Sequence, residues 1–428
     1  MAQTAGPLTY LLIVAISFDS RSDTLGRIDP DETAQPRRVR LAIIVSHPIQ
    51  YYAPLHQRLA RRSDLIVKVF FTWHSGKTAI QDHGFRRPVA WDIPLTEEYD
   101  WELVPNTAAD PGTHHFFGLR NPTLVERVRA WAPDAVHISG WAWYSHLSAL
   151  RQFAKADLPT LFRGDSHLLD KVKKGPRWWL KRAVLRHVFR WPSVFLTVGA
   201  ANRSYFETFG VDSDRLFPCP HSIDVRRFAE PHDEFERRAA EWRNQLGIGP
   251  GRKVLLFAGK FERKKRPVEL MRVVQTMQDS SVVLVIVGCG ELESEVKAIA
   301  ENDPERFRVL PFQNQSRMPL VYRLGDLFVL PSLYGETWGL AVNEAMACGR
   351  PVVVSDRVGC AEDVVDESCG RVFKADDPNA LALALIELMA DSVRLQKMKT
   401  AAAERAWAFD IGVTESSVVE AVGRICFK

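Results

Sequence analysis

Two glutamates eight positions apart, Glu336 and Glu344, stand in the segment of this chain that offers the most chemistry, residues 327–356. The segment reads as a strand (LFVL), a loop (PSLYGETW), a helix (GLAVNEAMACG) and a second strand (PVVVSD), which puts Glu336 in the loop and Glu344 in the helix. Trp338 closes the loop and Gly339 opens the helix, where a residue without a side chain leaves the first-turn backbone N–H groups open to an anion. A carboxylate beside such a helix start can accept hydrogen bonds from sugar hydroxyls while the helix end holds a phosphate. By themselves, two glutamates at this spacing are as ordinary as a solvated loop acid and a helix glutamate; their surroundings decide between the two readings.

The matching positive charge lies upstream. Strand 254–258 runs into Gly259-Lys260-Phe261-Glu262-Arg263-Lys264-Lys265-Arg266-Pro267. Fixed cations in a water-poor cleft stabilise a departing diphosphate far better than solvent does, although a basic run is also the pattern of a solvated helix face. Gly288 and Gly290, between strand 282–287 and the next helix, suit close approach of a nucleotide to the backbone, a weak signal taken alone. In the first half of the chain His47 follows strand 41–45, and Asp165 and His167 follow strand 160–162 in the tract RGDSH. Each can face the same cleft; a hydrogen-bonded filler is the alternative for both histidines.

Positioning these groups needs strands that end where they begin. Apolar runs at 41–45, 66–71, 135–138, 160–162 and 194–198, and then at 254–258, 282–287, 307–310, 327–330 and 352–354, alternate with longer helical patterns. That is the organisation of α/β parallel sheets built from βαβ units. The expected architecture is two Rossmann-like, doubly wound domains facing a deep inter-domain cleft. Residues 1–37 form an extension outside the fold, 38–235 the first domain, 236–400 the second, and 401–428 a helical region. Ligands bind at the carboxyl ends of such strands.

The tract 335–353, GETWGLAVNEAMACGRPVV, resembles the E-x7-E signature of the retaining glycosyltransferases of family 4. The resemblance implies the GT-B fold with 38–235 as an acceptor domain and 236–400 as a donor domain, a nucleoside-diphosphate sugar as donor, transfer to an acceptor hydroxyl, and no required metal or cofactor. It implies that Glu336 binds hydroxyls of the donor sugar and Glu344 the ribose, with Trp338, Gly339 and Leu340 lining sugar and diphosphate; Trp338 replaces the usual Phe. The turn at 259–265 is similar to the family's G-R-x4-K turn, with Lys260 at the Arg position, which loses the bidentate fork, and Lys265 at the Lys position. His167 is the counterpart of a first-domain histidine beside the donor sugar. Glu362, in a tract similar to G-G-x-x-E, and Asp224, in one similar to N-G-V-D, read as structural. The loop 46–52 departs from the family's Gly-Gly turn, and the region from about 401 is expected to cross back onto the first domain. The catalytic set is therefore Glu336, His167 and Lys265. Donor binding falls to Lys260, Lys265, Gly288, Gly290, Trp338, Gly339, Leu340 and Glu344, and His47 and Asp165 are acceptor-side candidates.

Composition sets the outer limits. A formal net charge of +4 over 428 residues is too small a surplus to argue for nucleic acid. The six cysteines show no C-x-x-C pair and read as reduced, in a cytoplasmic protein. The apolar stretch 8–16 is about half a membrane span and is not preceded by Lys or Arg; a signal peptide is the lesser reading. Between 171 and 191 there are eight Lys/Arg, no acid and four large aromatics. On a helix, Arg182, Arg186 and Arg190 would oppose a stripe of Leu180, Val184, Val188 and Trp191. Such a helix either packs its apolar stripe on the first sheet or meets anionic lipid headgroups at the inner membrane face. Competing functions on the same fold are a sugar-nucleotide epimerase, a phosphorylase, which would need a pyridoxal-phosphate lysine with no sign here, and a non-catalytic nucleotide-sugar binder.

Overall fold

A computed structural model describes residues 37–427 apart from 75–79, 83 and 171–174. The expected extension therefore lies, except for its last residue, outside the described residues, as does the start of the basic segment. The first sheet is built from β1 (Val39–Val45), β2 (Leu65–Phe71), β5 (Asp100–Leu103), β6 (Ala135–Ser139), β7 (Thr160–Arg163), β8 (Val194–Thr197) and β9 (Leu216–Pro218); β3 (Ile80–Asp82) and β4 (Arg87–Val89) form a separate antiparallel hairpin. The seven strands are parallel in the order β5-β2-β1-β6-β7-β8-β9. The second sheet, also parallel, has the order β12-β11-β10-β13-β14-β15. Its strands are β10 (Lys253–Ala258), β11 (Val282–Val287), β12 (Phe307–Leu310), β13 (Leu327–Leu330), β14 (Val352–Ser355) and β15 (Gly370–Phe373).

Central parallel strands are covered on both faces, so they read as unbroken apolar runs; every residue of VVLVIV in β11 is buried. In both sheets the order reverses at one place, between β1 and β6 and between β10 and β13. The loops leaving β1, β10 and β13 carry His47, Lys260 with Lys265, and Glu336, so four of the proposed residues leave strands at the switch points where open α/β sheets take ligands.

The chain passes between the sheets twice. After β9, Ile223 pairs with Asp410, and Asp410 accepts from the backbone N–H of Val225 (3.2 Å) while capping the last helix through Gly412 (2.8 Å). The helix Ser392–Ala406 still buries Ala402 and Ala406 in the second core. The final helix, Ile411–Cys426, packs Ile411, Val418, Ala421 and Val422 into the core of the first sheet, beside the helix Ala53–Ala60 and β6, β8 and β9, and its Glu415 pairs with Arg58 (2.6 Å) and Arg62 (3.3 Å). Each such aliphatic side chain contributes about 1.5–3 kcal/mol when fully buried, so this return helix fastens the second domain to the first.

One helix differs from expectation. Pro176–Val188 packs through Leu185 and Val188, followed by Phe189, onto Phe162, Phe195 and Phe206. Lys181, one turn before Leu185, lays its ammonium near the rings of Tyr205 and Phe209 (5.8 Å each). The buried line is thus 185-188-189, and Lys181 is itself exposed. Leu180 and Val184 lie off that line and are 67% and 48% exposed, beside Trp179 at 58%. The stripe through 180 and 184 does not pack on the sheet. Among the described residues no helix is long and apolar enough to cross a membrane.

Candidate functional site

A cavity of about 730 Å³ lies between the two sheets, bounded by loops that leave the carboxyl ends of their strands. Glu336, Trp338, Gly339, Leu340, Glu344, Lys260, Lys265 and Gly288 line it from the second domain, and His47 and Asp165 from the first.

Glu336 is held by two neighbours. Lys265 Nζ lies 2.6 Å from its Oε2, and the Ser332 hydroxyl donates to the same oxygen at 3.1 Å. Burial pushes the Glu336 carboxyl up, but the Lys265 ammonium and these hydrogen bonds outweigh it and hold the group below the usual carboxylate range. Glu344 meets the opposite environment. It is 2% exposed, and burial raises it to about 7 although the Tyr322 hydroxyl donates to Oε2 at 2.5 Å and Arg227 acts in the other direction. Its Oε1 is a buried acceptor without a hydrogen bond. Tyr51, in the loop after β1, faces the same carboxylate: burial and then the Glu344 charge raise its phenol.

Gly339 has φ +95°, and a Cβ there would come within 2.8 Å of Val358 Cγ1, so only glycine fits where the loop turns into the helix Leu340–Ala347. Gly288 shows a different use of glycine. A Cβ on it would sit 1.9 Å from the Gly259 carbonyl, so what approaches this backbone is the domain's own cationic turn. Gly290 likewise packs on Phe261 and is not part of the cavity wall. Both glycines position the turn; Gly290 lies off the cavity wall, a correction to the nucleotide-contact role expected for it, while Gly288 keeps its place in the wall.

Lys260 and Lys265 are each already paired. Lys260 Nζ lies 2.8 and 3.1 Å from the carboxylate oxygens of Asp82, at the end of β3, and 4.8 Å from the Phe85 ring centroid. The first-domain hairpin thus reaches across the cleft, and the Phe85 ring packs on Phe312 at 4.7 Å. A diphosphate arriving at Lys260 has to displace Asp82.

His167 is not in the cavity wall. The Leu169 backbone N–H donates to its Nδ1 (3.2 Å), which places the ring proton on Nε2, and Nε2 donates to the Glu336 carbonyl (3.2 Å). It therefore supports the Glu336 loop from behind rather than facing the sugar, a correction with the hydrogen bonds as its cause. Asp165 accepts from the Thr337 hydroxyl (2.9 Å) and fixes the same loop from the first domain. His47, edge-on to Trp73 at 5.1 Å and bonded to the Ser46 hydroxyl at 2.8 Å, is lowered to about 4 by burial and by His74, so it is neutral near pH 7. The indole of Trp338 is 3% exposed, packed on His221 and Phe409 with Nε1 donating to Asn343 (2.9 Å). Only a sliver of it reaches the cavity.

Glu362 is exposed, and the neighbouring Asp363 bridges the domains instead, accepting from the backbone N–H of Ala200 at 3.1 Å. Asp224 caps a helix through Arg227 (3.3 Å). The sequence reading missed Asp82, Tyr51, Tyr322, Ser332 and Asp363. Ser332 stands in the loop PSLYGETW and Tyr51 in the loop 46–52, both read without a role for these residues, and Asp363 stands beside the acid of a recognised tract; Asp82 and Tyr322 left no local trace.

Residues 238–405 match the family model for glycosyl transferases group 1. Over this stretch the chain is similar to the group 1 glycosyl transferases. The match bears out the family resemblance drawn from 335–353. The D-inositol 3-phosphate glycosyltransferase of Nocardia farcinica is 30% identical over 229 residues, 51% of this chain and 49% of that one. The phosphatidyl-myo-inositol mannosyltransferase of Mycobacterium leprae is 29% identical over 172 residues, 39% and 45% of the two chains. The chain thus spans about half the length, or less, of these curated relatives. Among solved structures, sucrose-phosphate synthase from Thermosynechococcus elongatus superposes with a TM-score of 0.67 at 19% identity, covering 91% of this chain and 99% of that one. HepE of Anabaena, in complex with UDP and glucose, gives 0.65 at 16% identity, covering 90% and 100%. Fold likeness over both sheets makes this a GT-B fold.

Proposed function

We propose that the protein is a retaining glycosyltransferase that moves a sugar from a nucleoside diphosphate to an acceptor hydroxyl. The observation that carries this is the pairing of Lys265 with Glu336 at 2.6 Å, in a cleft that Gly339 and Glu344 also line. On donor binding, Glu336 orients the sugar hydroxyls. The unbonded Oε1 of Glu344 takes the ribose hydroxyls, each a donor matched to a buried acceptor. Lys265, Lys260 once freed from Asp82, and the first-turn N–H groups after Gly339 stabilise the leaving diphosphate. The acceptor hydroxyl approaches on the face the diphosphate leaves, and the leaving phosphate takes its proton, as the family resemblance implies. HepE, of the same fold, is described in complex with UDP and glucose, which supports a nucleotide sugar as donor. Incubation with a panel of sugar nucleotides and acceptors tests the reading. Acceptor-dependent release of nucleoside diphosphate is expected, and binding without release across the panel would leave a non-catalytic binder.

The acceptor side is proposed to work at an anionic lipid surface. Trp179, Leu180 and Val184 are exposed on a helix that also carries Arg177, Lys181, Arg182 and Arg186, and no acid occurs between Asp170 and Glu207. Liposomes containing anionic lipid should bind the protein. Joint substitution of Arg182, Arg186 and Arg190 by Glu should abolish that binding, and unchanged binding refutes the contact.

A further inference from the structure

On the first-domain rim of the cleft, the tract Asp110-Pro111-Gly112-Thr113-His114-His115 folds back on itself. His114 Nε2 lies 2.9 Å and His115 Nε2 3.4 Å from the same Asp110 oxygen, Oδ2, and the two imidazoles meet edge to face at 4.7 Å. These three ligand atoms all lie within 4.8 Å of one another. Two atoms bound to one tetrahedral ion at about 2.0–2.1 Å stand about 3.3 Å apart, and the two distances bracket that value.

His115 Nε2 also donates to the Asp110 backbone carbonyl (2.9 Å), and further bonds brace the loop in this shape. The Gly112 N–H donates to the Gly118 carbonyl (3.1 Å), the Gly118 N–H to the His115 carbonyl (3.2 Å), and the Asn106 amide also donates to the Gly118 carbonyl (2.8 Å). A Cβ on Gly112 would run into the His114 ring at 2.5 Å, and one on Gly118 into the Gly112 carbonyl at 2.1 Å. The indole of Trp143 donates to the Thr113 carbonyl (3.1 Å), and Thr113 itself lines the cleft.

We propose that Asp110, His114 and His115 bind a divalent transition-metal ion of the zinc class. Two imidazoles and one carboxylate are the donor set of borderline ions and not of Mg²⁺, and three protein ligands leave a further position open to water or to a substrate oxygen. To bind, each neutral ring takes the tautomer with its single proton on Nδ1, so that Nε2 turns its lone pair to the ion in place of the contact it now makes with Asp110. With the ion bound, the loop that carries Thr113 into the cleft is cross-linked across its neck. The site does not depend on the sugar-transfer reading.

Its test reads the metal directly. The full chain, stripped with chelator, is titrated with Zn²⁺ by calorimetry, with Mg²⁺ as the control. One saturable equivalent of Zn²⁺ is expected, with no Mg²⁺ binding. His114→Ala, His115→Ala and Asp110→Asn should each weaken it by at least ~10-fold, since loss of even an outer-shell partner costs that much. Hydrogen exchange over 110–118 should slow on Zn²⁺ addition in the wild type and not in the variants. The ligands are half-buried or exposed, so the variants should keep their fold, and unchanged melting temperature without metal checks this. No saturable binding, or binding that survives the joint substitution of both histidines, overturns the proposal.

Discussion

The two walls of the cleft are made of different materials. The second domain brings charge and bare backbone: Lys260, Lys265, Glu336, Glu344 and the helix start at Gly339. The first domain brings rings, among them His47, Tyr51, Tyr52, Trp73 and Phe85. Its cavity-lining histidine His221 is held far below its ordinary range by burial and then by Arg163, as His47 is held at about 4 by burial and His74. Near pH 7 the charged wall suits a phosphate and a polyhydroxyl ring, while the rings of the first wall suit the apolar faces of a substrate. Within the charged wall the contrast recurs, because Glu336 and Glu344 are driven in opposite directions by a lysine in one case and by burial in the other.

Removing the charge of the second wall should have the largest effect. Glu336→Gln should lower the turnover rate by ~100- to ~1000-fold with little change in melting temperature, measured as nucleoside diphosphate release. Activity close to wild type would remove Glu336 from the site.

The two glutamates should separate under pH. Glu344 titrates near 7 in the folded chain against an ordinary 4.5, so the stability from its neutral form is complete below about pH 4.5 and is lost as pH rises through about 7. That loss is on the order of 3 kcal/mol. Glu344→Gln, neutral at every pH, should flatten this part of the curve in urea unfolding between pH 4.5 and 8. Glu336, held low, acts in reverse: its contribution is present above the ordinary carboxylate range and is lost as pH falls below it. A Glu344→Gln curve that falls as steeply as that of wild type would contradict the environment described for Glu344.

A smaller effect is expected where the first wall touches the second. Asp82→Ala frees Lys260 from its carboxylate partner and should lower the donor KM by about threefold, since a half-exposed ion pair is worth about 0–1 kcal/mol. A raised donor KM would mean that Asp82 holds the lysine in place for the donor. The smallest change belongs to the ring wall: His47→Ala should raise the acceptor KM a few-fold and leave the donor KM and the pH profile between 5 and 8 unmoved. A shift in that profile would show that His47 titrates in the reaction.

Much of the charged wall was legible in the sequence. Lys260, Lys265, Glu336, Gly339 and Glu344 follow strands within short tracts, and a strand–loop–helix unit places such residues by its local geometry alone. His167 was found by the same rule, and its role was misread because its partner is a carbonyl 169 residues away. Asp82, Tyr322 and Tyr51 were invisible for the same reason: each matters through a residue on another element. The surface helix shows the limit from another side. Its composition announced cations and aromatics, but which apolar residues face inward depended on where Leu185, Val188 and Phe189 meet the Phe162 cluster.

By itself the sequence determined the alternation of buried strands and helices, the two parallel sheets, and the tracts that leave their carboxyl ends, because these follow from periodicity, apolar runs and a few residues in fixed local order. The tertiary structure alone decided which carboxylate keeps its charge and which does not, that Lys260 waits on Asp82, that Gly288 serves the packing of its own domain, and that an aspartate and two histidines share one small space on the rim. Those outcomes depend on desolvation and on charges brought together across long stretches of chain, and neither quantity exists until the chain has folded.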